Sequence, residues 1–175
     1  LASSVIICEG ASEIGLLRGL DLNRLEQGAV SMAAQSVALI DSGGGEADRP
    51  YARAAVFQSL GYRVMVFRDD DVKPTHAIEQ AFLQKGGTVV KYREGRALED
   101  ELFGSLSPEA CQQLIVYADE LHGDVIHEHL RTASNNSITV QSVWDEVQSS
   151  KALSAASRGY LGKAARIRRA GWFKS

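Results

Sequence analysis

Four acidic side chains stand just after short apolar runs. Glu9 follows Val5-Ile6-Ile7-Cys8, Asp41 follows Val37-Ala38-Leu39-Ile40, and Asp69 and Asp71 follow the run Tyr62 to Phe67. If those runs are strands of one sheet, their ends carry the carboxylates to a common rim, where they repel one another unless a cation lies between them. Hard oxygen donors, without cysteine or a well-placed histidine, select magnesium, manganese or calcium over zinc. Asp is also an ordinary residue of turns, so no single acid is specific. The set is more telling, because Asp69-Asp70-Asp71 at the end of a buried run is costly to hold without a counter-ion. Strand alternation would put Asp69 and Asp71 on one face and turn Asp70 away. Other clusters carry less. Gly43-Gly44-Gly45 lacks the Lys-Ser/Thr of a phosphate-binding loop and reads as a plain loop. His127 and His129, two apart, fall on different sides of a helix and do not suit a shared zinc ion.

The elements that must position these acids alternate through residues 1–95. Strands are expected at 5–8, 37–40, 62–67 and 88–92. Helices are expected at 12–25, 53–60 and 74–85, with Gly61 and Gly86-Gly87 as stops. Short apolar strands separated by helices mean a parallel sheet of about four strands, covered on both faces. From Leu98 onward no strand pattern recurs, and helices are expected at 108–121, 125–131, 140–148 and 153–169. The expectation is therefore an α/β core over 1–95, followed by a helical appendage over 96–175 that completes the active site.

Composition narrows the class. The 175 residues, 45% hydrophobic and 23% charged, describe an ordinary globular chain rather than a disordered or collagenous one. A chain of this length buries roughly 70% of its unfolded surface. No apolar run approaches the roughly 20 residues of a membrane span, and no leader pattern is visible. Cys8 and Cys111, far apart, fit a reducing compartment, so a cytoplasmic location is expected. The chain starts at Leu1 without an initiator Met, as a piece of a longer protein would. The net charge of −3 is unevenly spread: residues 151–175 hold seven cations and no acid, which leaves −10 for residues 1–150. Such a tail, including Lys163, Arg166, Arg168 and Arg169, reads as an electrostatic footprint for nucleic-acid phosphates.

An apolar strand, Glu9-Gly10, a helix and then Asp69-x-Asp71 resemble the TOPRIM fold of topoisomerases, primases and certain nucleases. The detail resembles the OLD (overcoming lysogenization defect) family of ATP-dependent nucleases more closely. Ile6 to Glu13 is similar to that family's first motif, with a second Glu four residues after the first. Leu60-Gly61-Tyr62-Arg63 running to Arg68-Asp69 is similar to its second. Leu98-Glu99-Asp100 resembles a later acidic motif, and Gly171-Trp172-Phe173-Lys174 its closing lysine motif. The resemblance implies a DNA endonuclease or nickase domain working with two divalent cations about 3.5–4 Å apart. Glu9 and Asp71 would serve one cation, and Glu13, Asp69 and Glu99 the other. Lys174, with Lys163 second, would offset charge in the transition state. DNA and an ATPase domain on the N-terminal side are the implied partners. Two other readings stay open. An Asp-dependent phosphatase would want Thr or Val where Lys73 stands. A non-catalytic TOPRIM scaffold would bind nucleic acid or protein without cutting.

Overall fold

The structure, a computed structural model, describes residues 2–167 and 171–173. It divides into two compact units, residues 1–95 and 96–175. In the first unit the chain runs β1 (Ser4–Cys8), α1 (Ala11–Glu26), β2 (Val37–Asp41), α2 (Arg49–Ser59), β3 (Arg63–Arg68), α3 (His76–Gln84) and β4 (Thr88–Lys91). The four strands form one all-parallel sheet in the order β2-β1-β3-β4.

That order follows from the connections. The chain steps from β1 outward to β2, then returns past β1 to β3 and continues to β4. With right-handed crossovers, α1 covers one face while α2 and α3 cover the other. The side-chain alternation agrees. Val5, Ile7, Val64 and Val66 pack with Tyr51, Ala54 and Phe82 of α2 and α3. The opposite set, Cys8 and Phe67, packs with Ile14 of α1. Register aligns the strand ends, Cys8 lying beside Asp41 and Phe67, and Arg68 beside Lys91. The residues that follow therefore share one rim.

Several boundaries differ from the sequence expectation by one to four residues, the last helix for instance spanning Ala155–Ala165 rather than 153–169. Two of the differences concern the elements around the site. Helix α2 starts at Arg49 rather than Arg53, because Pro50 suits a first helical turn, where its missing N–H costs nothing. Strand β3 ends at Arg68, so Asp69, Asp70 and Asp71 lie in the turn beyond it and the strand alternation expected of them does not apply.

The second unit is helical: α4 (Leu98–Ser105), α5 (Pro108–His122), α6 (Val125–Ser134), α7 (Val140–Ser150) and α8 (Ala155–Ala165). The helix α4 has no counterpart in the expectation, since its eight residues are too few to show a period. Its core holds Phe103, Ile115, Leu130 and Leu161, closed by Trp172, whose ring meets Phe103 edge-on at 5.9 Å between centroids. Arg158 donates to the carbonyls of Phe103 and Leu106 at 2.6 and 2.8 Å, satisfying the C-terminal end of α4. No helix among the described residues is long and apolar enough to cross a membrane.

Candidate acidic site at the sheet's switch point

In an open parallel sheet, ligands gather where the connections leave neighbouring strands in opposite directions, outside their carboxyl ends. Here that point lies between β1 and β3, and the first residues beyond those ends are Glu9 and Asp69. A hydrogen bond joins them: the Asp69 N–H donates to Glu9 Oε2 at 3.1 Å. The Glu9 N–H in turn donates to the Phe67 carbonyl at 3.1 Å. Two of the predicted acids are thus brought together by the backbone.

Glu13 is buried in the first turn of α1, and its Oε2 accepts the Gly10 N–H at 2.9 Å, closing the turn that carries Glu9. An anion there is also favoured by the positive end of the helix. The turn after β2 is tied to the same place. Ser42 Oγ lies within hydrogen-bond distance of both the Cys8 and Glu9 carbonyls, to which its single proton can be given in turn. The Gly44 N–H donates to the Glu9 carbonyl at 2.8 Å. Gly43, Gly44 and Gly45 all hold positive φ, which explains three glycines in a row. Asp41 is exposed, and its Oδ1 accepts the Gly43 N–H. Burial, reinforced by the charges of Glu13 and Asp41, pushes the Cys8 thiol up to about 12. That thiol is an inert core group at neutral pH.

Asp70 departs from the expectation most. It is fully buried, with partners drawn from the β3–β4 side rather than from the Glu9 turn. Its Oδ1 takes Arg68 Nη1 and Lys91 Nζ, each at 3.1 Å. Its Oδ2 takes the Gly95 N–H at 3.1 Å and Lys73 Nζ. Burial alone would raise this carboxyl, but the four donors outweigh it and hold it well below the usual carboxylate range. Arg68, also buried, reaches on to Glu79 Oε1 at 3.1 Å and Tyr51 Oη at 3.0 Å, and Tyr51 donates to Glu79 at 2.6 Å. Glu79 likewise titrates low, burial being outweighed by the Tyr51 and Arg68 hydrogen bonds. Lys73, Lys91 and Gly95 were not legible as parts of a site, because each is unremarkable until the fold sets it beside Asp70. Asp71, one residue further, is exposed.

The remaining predicted residues belong to the second unit. Glu99 is buried in the first turn of α4. Lys163 is exposed, its ammonium 5.8 Å from the Tyr160 ring centroid. Arg166 donates to Asp100 Oδ2 at 2.7 Å. Arg168, Arg169 and Lys174 lie outside the described residues.

Carboxylates alone suit hard cations in chemistry. Among the described residues, though, no three His, Cys, Asp or Glu side chains gather closely enough to hold a metal ion. Glu9 and Glu13 each give an oxygen to a backbone N–H. No protein-family model, curated protein or solved structure matches the chain. The fold and rim define an α/β protein with an acidic switch point, and the reading of its activity rests on the site.

Proposed function

We propose that this chain is a phosphodiester hydrolase region of TOPRIM type, similar to the OLD family, which nicks DNA with divalent cations. One observation carries the reading: Glu9 and Asp69 stand at the β1–β3 switch point and are tied by the Asp69 N–H. By the resemblance, Glu9, Glu13, Asp69 and Asp71 are the residues that would hold the cations, and to do so they would have to draw closer together than they stand here. When bound, such ions activate a water and stabilise the leaving oxygen. The chain's own contribution is orientation. The Glu9 carboxylate is fixed by the Asp69 backbone, and Glu13 fixes the Glu9 turn through Gly10. Glu99, Lys163 and Lys174 enter this reading only through the resemblance.

The test is nicking of supercoiled plasmid DNA with magnesium, manganese, calcium or a chelator. Asp69→Ala removes a carboxylate but keeps the N–H that holds Glu9, and Asp71→Ala removes an exposed one, so both variants should fold. Both should lose cation-dependent nicking. Full activity in Asp71→Ala would refute the two-cation reading. A second reading has its own observation: the Glu9 and Glu13 carboxylates already order backbone turns, a role that a non-catalytic nucleic-acid or protein interaction module would also need. In that case the parent protein would bind DNA without cutting it.

A further inference from the structure

We propose that Lys73 and Lys91 form a contact for the nucleic-acid phosphate backbone beside the acidic rim, with the buried Asp70 positioning both ammonium groups. The proposal rests on the nuclease reading above and names where its substrate lies. The turn Asp69-Asp70-Asp71 acts as a seam. Its first residue reaches toward Glu9 through its N–H, while its second is buried toward β4, where Lys91 stands in register with Arg68. The same rim therefore has two halves. Glu9 and Glu13 follow β1 and Asp41 ends β2, whereas Asp69, Asp71 and Lys73 follow β3 and Lys91 ends β4.

The ion-pair network itself holds three cations, Arg68, Lys73 and Lys91, against two carboxylates, Asp70 and Glu79, while Asp69 and Asp71 lie along the seam beside it. Arg68 is sealed in the interior, but Lys73 is 53% and Lys91 46% exposed, so the network presents its positive charge to solvent at the two lysines. An ammonium has three donors. Asp70 takes one from each lysine, and the others suit phosphate oxygens, for which lysine serves as a point charge. Anchoring to a buried carboxylate also removes rotamer freedom that a mobile lysine would lose on binding.

The C-terminal cations are partly committed elsewhere. Arg158 serves the carbonyls of α4 and Arg166 is paired with Asp100.

The experiment is fluorescence anisotropy of the full chain with a fluorescein-labelled DNA duplex in chelator, over a series of salt concentrations. Lys73→Gln and Lys91→Gln each leave Asp70 three of its four donors, so the unit should stay folded, as circular dichroism would verify. Each should flatten the slope of log affinity against log salt by about 0.9, and the pair by about 1.8. Lys73→Arg and Lys91→Arg should keep the slope. Lys85→Gln, at the opposite end of the sheet, should also leave it unchanged. Asp70→Asn should weaken binding while the slope stays near parental, because both charges remain but are no longer held. That split is one a merely structural aspartate would not produce. A folded double variant with the parental slope would overturn the proposal. If the parent nicks plasmid while the lysine variants bind like it, the lysine contact alone fails. If the parent neither nicks DNA nor binds it in a salt-dependent way, the nuclease reading fails and the contact with it.

Discussion

Asp70→Ala should destabilise the first unit by about 3 kcal/mol, and the figure can be worked from its four donors. Lys73 and Lys91 are about half exposed. Deprived of the carboxylate they return to water, and each such pair contributes at most about 1 kcal/mol. Arg68 cannot do the same, since only 1% of its side chain meets solvent. It keeps Glu79, Tyr51 and the Asp69 carbonyl, and loses one of two carboxylates. The Gly95 N–H loses its acceptor, at about 1–3 kcal/mol if it stays dry. Removing one partner of a buried pair costs about 3–5 kcal/mol in general, and the retained Glu79 places this case at the lower end. Asp70→Asn keeps the volume and an oxygen acceptor, so it should lose about half as much as the Ala variant by the same accounting. Urea unfolding at pH 7, followed by far-ultraviolet circular dichroism, measures both. An Asp70→Ala protein within about 0.5 kcal/mol of the parent, the range of ordinary surface substitutions, would refute the view of Asp70 as the anchor of this network.

Three further outcomes are expected. Asp70 and Glu79 both titrate lower in the folded chain than in the unfolded one. Their contribution is therefore complete above the ordinary carboxylate range and is lost as pH falls below about 4. Acid titration of stability should fall less steeply for Asp70→Asn than for the parent, and equal slopes would contradict the assignment. With Cys8 raised to about 12 and Cys111 also raised by burial, neither thiol should react with a disulfide reagent at pH 8 until denaturant is added; prompt labelling of the native chain would disprove it. Finally, a Cβ at Gly162 would lie 2.8 Å from Asp100 Oδ1 and 3.2 Å from its Cα, so Gly162→Ala should cost about 1–3 kcal/mol by overpacking α8 against α4, read as a lower melting temperature.

The sheet was legible because its signals are local. Four short apolar runs mark four strands, and the helices between them fix the parallel sense. The positions of Glu9 and Asp69 followed directly from those strand ends. What was not legible depends on where β3 stops. Carried past Arg68, the alternation rule assigns Asp70 to the idle side; with the strand ending at Arg68, the turn is free to bury that residue. Its partners Lys91 and Gly95 lie 21 and 25 residues further on, and only the sheet register brings them back. The basic tail illustrates the converse. Counted as a footprint for phosphate, it includes Arg158 and Arg166, which serve a helix end and an internal ion pair. No period or spacing distinguishes those two from their neighbours.

The chain's two tryptophans, Trp144 and Trp172, both belong to the core of the helical unit, and the first unit has only Tyr51, Tyr62 and Tyr92 as phenol or indole reporters. Emission excited at the red edge of the indole band thus watches one half of the molecule. An unfolding curve recorded that way would be blind to the sheet that carries Glu9, Asp69 and Asp70. Variants of the acidic rim could lose that sheet entirely and still look native by tryptophan fluorescence. Superimposing such a curve on the dichroism signal tells whether the two halves melt together, and a mismatch assigns the earlier event to a particular half without any label.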